Sequence, residues 1–589
     1  LPIEFLFAVD FADLFQVRGV KRRRRGEDER PATHADRVRF AYRGIDGVRR
    51  TTEIMFKPQP HSLSDSRAVY LLSLRPDERF AIEARVSVCE DSPQARPQRG
   101  AGRFDEALES RRAEIARLSE ASARVSASNG YLDSLLRRSA ADLISIVSKR
   151  PEGLYMMAGI PWFATLFGRD SIITAMSTLP FCPELAGGTL RTLAALQGSE
   201  VNERRDEQPG KIIHEVRSGE MATTGEVPFG HYYGSIDSTP LFLWLYGHYV
   251  ASTGDLALAE ELWPNVERAI GWIEKWGDRD GDGYVEYMRE NTRGLSNQGW
   301  KDSVDAISHS DGGLARPPIA LCEVQGYVYG AYQSVARIAE RLHHAGEADR
   351  LRERARALRA SFLRDFWLEK EGAVALALDA EKRPCRVMAS NAAHCLASGL
   401  LDRERAEILA RRLMADDMFS GWGVRTLSAK ERRYNPMSYH NGSVWPHDNA
   451  IAAVGLARLE GREGVQRILD GLLDAAVELK AGSLPELFCG FAREPRLGPV
   501  PYPVACHPQA WAAASVFMIV QAMLGLRVKA LERRVVVDSP VMPPWLDWLR
   551  IDNLSVGDAK VSLMLRRTPI SAAVEVMDKR GQVTVEVRK

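Results

Sequence analysis

Long segments rich in Gly, Pro, Trp and acidic residues recur along most of this chain at nearly equal steps. With positions 170, 237, 302, 371, 440 and 507 as landmarks, the steps are 67, 65, 69, 69 and 67 residues. Between the landmarks, apolar residues fall at helical spacing: Leu132, Leu136, Leu143 and Val147 first, then the stretches 257–276, 320–343, 348–366, 388–413, 462–479 and 507–525. Such a repeat has the length of one helical hairpin. Six of them close most simply into a ring of twelve helices with all six long segments at one end. Residues 129–530 are therefore read as a six-hairpin α/α toroid, or barrel.

The flanks have a different period. From Leu1 to residue 90, β-rich runs such as Val38 to Tyr42, Thr51 to Phe56, Val69 to Leu74 and Phe80 to Val88 alternate with Gly and Pro turns. They predict an N-terminal β-sandwich-like domain, expected to be incomplete. Residues 91–128 read as a linker passing into a polar helix. The runs Lys560 to Leu565 and Val574 to Val576 predict a small C-terminal β cap over 531–589. The five cations Lys21 to Arg25 read as a solvated edge or loop.

Composition removes several classes. Lys plus Arg number 79 against 78 Asp plus Glu, a net charge of +1, where a nucleic-acid protein should show a basic excess. The longest nearly apolar stretch, Trp511 to Leu526, is interrupted by Gln521 and falls short of the ~20 residues that span a bilayer, so it reads as a buried helix and no membrane partner is expected. The first residues contain Glu4, Asp10 and Asp13 without a basic n-region, unlike a signal peptide, and the missing initial Met leaves room for an upstream piece. Seven scattered cysteines without CxxC spacing predict reduced thiols in a cytoplasmic protein.

The long segments carry the chemistry. They bring together Trp162, Phe163, Arg169 and Asp170; Tyr233 and Asp237; Trp300 and Asp302; His440, Asn441, Trp445 and His447; and Glu486 with His507, Gln509 and Trp511. Aromatic faces stack on sugar C–H surfaces, while carboxylates, guanidinium and amides bond hydroxyls. Glycoside cleavage with inversion needs one protonated carboxyl and one carboxylate base roughly 6.5–9.5 Å apart across the sugar. Opposite walls of a barrel mouth supply that separation. Asp302 follows Trp300, whose ring can desolvate a carboxyl, and Glu486 follows Pro485 where the helical pattern has stopped.

Several motifs resemble the bacterial amylo-α-1,6-glucosidase, glycogen-debranching-related family of inverting hydrolases: Phe11-Ala-Asp-Leu-Phe15, Pro161-Trp-Phe163 with Gly168-Arg-Asp170, Trp300-Lys-Asp302, and Ser483-Leu-Pro-Glu486 followed by Gln509-Ala-Trp511. The resemblance implies Asp302 as general acid and Glu486 as general base. It also implies Trp162, Arg169, Asp170 and Asp237 around the cleaved sugar, with Glu323 and Gln325 at a helix start. The implied substrate is an oligosaccharide or small α-glucoside; inverting cleavage requires no cofactor, and the spacings of His440, His447 and His507 are not HExxH-like, so no metal is expected. This chain reads Lys301 where the family commonly has Met, which would place a cation beside the acid.

Other readings remain at this stage. A sugar isomerase or epimerase on the same barrel would use His440 and His507, and a carbohydrate-binding protein would turn nothing over. Asp278, Asp280 and Asp282 with Gly283 match the first half of a calcium loop, but its twelfth position is Arg289, so a tight acidic turn is preferred. Glu215, Arg217 and Glu220 read equally as pocket residues and as a loop salt-bridge network, and Trp422 with Arg425 as a stacking platform or a packed loop.

Overall fold

The computed structural model describes residues 1–91, 104–459, 462–479, 482–569 and 571–588. The chain divides into two units, Leu1–Ile115 with Arg217–Gly230, and Ala116–Val216 with His231–Lys589.

The first unit is β-rich. Strands Glu27–Thr33, Arg37–Arg43, Arg49–Lys57 and Glu83–Asp91 form an antiparallel sheet in that order, and Pro2–Leu6, Arg67–Leu71 and Ser62–Leu63 form a second. Alternation puts Val38, Phe40, Ile54 and Phe56 inward, where they meet Ala68 and Tyr70. The cationic run is not wholly solvated. The Arg22 side chain is 3% exposed and pairs with Glu220 at 2.9 Å and Glu226 at 2.5 Å. Glu220 also accepts from the Tyr42 hydroxyl and the Ile45 amide, so it belongs to a loop salt-bridge network. The first part of the expected linker, residues 92–103, lies outside the described residues; Phe104–Ala121 is a helix that buries Leu118.

The second unit is mainly helical. Six helices, α1 (Gly168–Thr178), α2 (Ser238–Thr253), α3 (Cys322–Arg341), α4 (Asn391–Ser398), α5 (Pro446–Leu456) and α6 (Ala510–Leu524), each pack on the next, and α6 packs back on α1. Helices Gly130–Ile146, Pro183–Ala195, Leu256–Trp272, Ala345–Asp365, Arg403–Leu413 and Glu463–Glu478 lie against them. The first and last long loops join in register, His507 N–H donating to Ile160 C=O at 3.0 Å and Ile160 N–H to Pro508 C=O at 3.1 Å.

The two sets of helices differ in pattern. Glu463–Glu478 buries Val465, Ile468, Leu469, Leu472 and Ala476 on one stripe, whereas α2 and α6 are buried nearly all round. Helical spacing finds the striped helices and also α3, α4 and α6, and misses α1, α2, α5 and Pro183–Ala195, which are buried on most sides. The stretch read as one helix over 388–413 is two. Gly399, at φ +77°, ends α4 in the left-handed region, and Asp402 caps Arg403–Leu413 by accepting from the Arg405 amide.

Toward the C-terminus, Trp548–Val556, Ala559–Arg567 and Ala572–Arg580 form a sheet that takes Arg124–Ala127 as its fourth strand, while Leu526–Lys529, Arg534–Asp538 and Thr584–Arg588 form another. Among the described residues no helix is long and apolar enough to cross a membrane. Among the described residues, Cys89, Cys182, Cys322, Cys385, Cys395 and Cys489 are free thiols.

Candidate active site

The six helices of the ring carry polar and aromatic side chains at their N-terminal ends. Arg169 and Asp170 open α1, Asp237 precedes α2, Glu323 lies in the first turn of α3 and Asn391 begins α4. Trp445 precedes α5, whose first turn holds His447 and Asp448, and Gln509 precedes Trp511 in α6. Contacts among them show that these ends converge. Arg169 bonds Asp237, Gln509 Nε2 lies 3.4 Å from Asp170 Oδ1, His394 of α4 bonds Asp448, and Trp511 stacks on His447 at 3.7 Å between ring centroids.

Asp302 and Glu486 come from the loops that enter α3 and α6. Asp302 Oδ2 accepts from Arg169 Nη2 at 3.2 Å, and its side chain is 30% exposed, whereas Asp237 beside it is fully buried. Loss of water pushes the Asp302 carboxyl up to about 6; Arg169 opposes the rise and Asp237 adds to it. Glu486 is 1% exposed and accepts from the Tyr439 hydroxyl at 2.6 Å and from the Cys506 amide at 2.9 Å.

Two groups feel both acids. Asp170 is pushed up to about 7, first by burial, with Arg169 opposing and Glu486 and Asp302 both adding. The Tyr439 hydroxyl is held well above its usual range by burial, then by Glu486 and Asp302. Asp302 and Glu486 thus act electrostatically on the same two neighbours.

An aromatic box supports the acid loop. Trp300, 1% exposed, meets His440, Trp445 and His447 edge-on at 5.6, 5.7 and 5.0 Å and stacks over His394 at 6.1 Å. His440 Nδ1 receives the Ser303 hydroxyl at 2.7 Å, and burial drives the imidazole well below its ordinary range. His447 is pushed down to about 3 by the same cause. Asn441 Nδ2 donates to Asp305 Oδ2, so the loop that follows the acid is held on two sides.

Residues 170–495 match the mannosylglycerate hydrolase MGH1-like glycoside hydrolase domain. The chain belongs to the MGH1-like glycoside hydrolase family. Residues 1–85 of this MGH1-like hydrolase match the N-terminal domain of some glycogen debranching enzymes. No curated protein matches. Among solved structures, a GH78 family rhamnosidase of Bacillus sp. GL1 is similar at TM-score 0.56 and 14% identity, over 95% of this chain and 53% of that one. A sialidase is similar at TM-score 0.55 and 12% identity, over 92% and 52%. An uncharacterized conserved protein from Thermus thermophilus is similar at TM-score 0.50 and 14% identity, over 65% and 99%. The chain spans about half the length of the first two. At these identities the likeness is one of fold.

Several side chains of this family member are occupied differently from their sequence reading. Lys301 turns away from the acid and donates to the Thr426 carbonyl at 2.6 Å; burial lowers its ammonium to about 8. Gln325 spends its amide on the backbone of Val285 and Leu321, and the Tyr233 hydroxyl donates to the Leu196 carbonyl. His507 bonds Ser483 at 2.6 Å and has Asp142 and Arg138 as its charged neighbours, while His440 faces Lys301, Arg169 and His447, so the two histidines of the isomerase reading occupy different surroundings. Trp162 Nε1 donates to the Val504 carbonyl, and Phe163 meets Phe167 edge-on. Glu323 is buried with Oε1 unpartnered. Trp422 is a packed residue under Arg493, and Arg425 donates to Gly490 C=O. Sequence reasoning misses the bond from Tyr439 to Glu486 and the chain Tyr327–His394–Asp448; Tyr439 directly precedes His440, but no spacing rule points to its partner.

Proposed function

We propose that this glycoside hydrolase cleaves α-linked glucosides with inversion, with Asp302 as general acid and Glu486 as general base, and that the closed ring of helices is the six-hairpin α/α toroid over residues 129–530. The flanking parts are then the β-domain 1–90, the linker 91–128 and the cap 531–589, and free thiols such as Cys322, Cys385 and Cys395 fit a cytoplasmic setting. The observation that carries the reading is geometric: Arg169 ties Asp302 to Asp237, Gln509 reaches Asp170 beside that arginine, and Tyr439 next to His440 bonds Glu486.

The two carboxyls differ as the mechanism requires. Asp302 is partly open to solvent and held near 6, so it keeps a proton at mildly acidic pH and can give it to the departing glycosidic oxygen. Glu486 accepts from the Tyr439 hydroxyl and the Cys506 amide, and as the base it draws a proton from the attacking water. Arg169 links Asp302 to the buried Asp237, and Trp300, Trp445 and Trp511 pack on one another beside them. Water is the nucleophile throughout, and no covalent intermediate forms. The test is a panel of isomaltose-type branches, trehalose, sucrose and aryl α-glucosides, run on the native chain, D302N and E486Q. At least one member should be hydrolysed by the native chain and slowed at least ~100-fold in each variant with folding intact. Near-normal turnover in either variant rejects the assignment.

A further inference from the structure

The acidic turn that follows Leu256–Trp272 has the beginnings of a calcium loop. Counting Asp278 as the first position, Asp280 and Asp282 fall third and fifth, Gly283 stands sixth at φ +92°, and Glu286 falls ninth. Carboxylate oxygens of Asp278, Asp280 and Asp282 all lie within 4.8 Å of one another. Asp278 is fixed by the amides of Gly281 and Gly283, at 2.8 and 3.0 Å. The twelfth residue, Arg289, turns elsewhere and donates to Gly294 C=O and Ser296.

A lysine from a distant loop lies among these oxygens. Lys382 Nζ is 2.9 Å from Asp280 Oδ2, 2.6 Å from Asp282 Oδ2 and 2.7 Å from Glu286 Oε2. An ammonium has three N–H donors, and here each meets a carboxylate. The surroundings still hold more negative charge than one lysine balances. Glu286 is 3% exposed, and its second oxygen, Oε1, is buried without a partner. Burial keeps the Glu286 carboxyl above its ordinary range, with Lys382 opposing and Asp280 and Asp282 adding. The Asp280, Asp282 and Glu286 carboxylates that converge on Nζ, with Asp278 oxygens within 4.8 Å of those of Asp280 and Asp282, are a donor set for a hard divalent cation.

We propose that Lys382 is a tethered replacement for a divalent cation: its ammonium fills the oxygen cage formed by Asp280, Asp282 and Glu286 with Asp278, and its removal turns the loop into a calcium site. The cage also bears on the acid loop. Tyr287, next to Glu286, donates its hydroxyl to Asn297 at 2.6 Å, and Asn297 donates to the Ser303 carbonyl at 2.6 Å, one residue beyond Asp302. The lysine thus stands at the head of a hydrogen-bonded path that ends beside the acid.

The experiment is calorimetric titration of CaCl₂ into the metal-stripped full chain, in native, K382R, K382A and K382Q forms, with Tm read in 10 mM CaCl₂ and in EDTA. The native chain and K382R, which keep a cation in the cage, should show no saturable uptake and the same Tm in both media. K382A or K382Q should bind one calcium per chain with Kd of roughly 10⁻⁵ to 10⁻³ M, the range of moderate calcium loops, and gain about 2–4 °C in CaCl₂. Adding D280N to the binding variant should abolish the uptake. Stoichiometric binding to the native chain that D280N removes, or failure of both K382A and K382Q to take up calcium, would overturn the proposal. Neither result depends on whether the chain hydrolyses a glucoside.

Discussion

Arg169 holds Asp302 through Nη2 at 3.2 Å while Asp237 holds the same guanidinium through Nη1 at 2.9 Å. One cation, itself 3% exposed, therefore sets the charge balance of the proposed general acid. The two partners act on Asp302 with opposite sign, Arg169 lowering its affinity for a proton and Asp237 raising it. Arg169→Met should cut kcat/KM by at least ~10-fold and move the alkaline limb of the pH profile upward, because the acid then holds its proton to higher pH. Asp237→Asn should move that limb downward. Limbs that stay in place, or move together, would contradict the assignment of Asp302.

Tyr439 donates a 2.6 Å hydrogen bond to Glu486, shorter than the 2.9 Å bond from the Cys506 amide. Removing that donor in Tyr439→Phe leaves the carboxylate less stabilised in its charged form, so its proton affinity rises. The acidic limb of kcat/KM should move to higher pH, with kcat lowered roughly 3- to 30-fold at the optimum. A pH–rate series on any hydrolysed glucoside reads both; an unmoved acidic limb would remove Glu486 from the base role.

Asp170 gives a stability prediction. Its carboxyl is near 7 in the folded chain against an ordinary 3.8, so the native state keeps a proton that the unfolded chain releases. The stability this contributes is complete below about 3.8 and is lost as pH rises through about 7. Asp170→Asn, which cannot ionise, should show a smaller fall in Tm between pH 5 and pH 8 than the native chain, measured by calorimetry. An equal or larger fall would contradict the buried, proton-holding state of Asp170.

Asp302, Glu486, Arg169, Asp170, Gln509 and Trp511 are legible because each stands in a short ordered motif, and Asp237 because it lies in one of the recurring aromatic-rich segments. The helices themselves were only half legible. Outer ones such as Glu463–Glu478 have one wet face and a clear period, whereas α2, packed on all sides, carries no polar stripe for periodicity to detect. Lys301 was read beside the acid because the two are adjacent in the chain; the backbone directs its ammonium to Thr426 instead. Lys382 could not be linked to the acidic turn at all, since a separation of about a hundred residues leaves no sequence pattern.

Lys301 yields the fourth expectation. Its charge is spent inside the unit, and Asp302 responds to Arg169 and Asp237 instead. Lys301→Met should leave the alkaline limb of the pH profile where it is and kcat within about 3-fold of native. The Thr426 carbonyl keeps the Ser390 amide as a donor, and loss of a buried ammonium lowered to about 8 removes a desolvation cost at neutral pH. Tm at pH 7 should therefore be no lower than native. A shifted alkaline limb would restore Lys301 as a neighbour of the acid.

The account rests on water attacking from the face opposite the departing oxygen, drawn by Glu486 while Asp302 gives up its proton. Proton NMR during the first minutes of hydrolysis of an α-glucoside tests this directly, because mutarotation has not yet mixed the anomers. The β-anomer of glucose should appear first; the α-anomer appearing first would mean retention and would contradict the paired roles of Asp302 and Glu486.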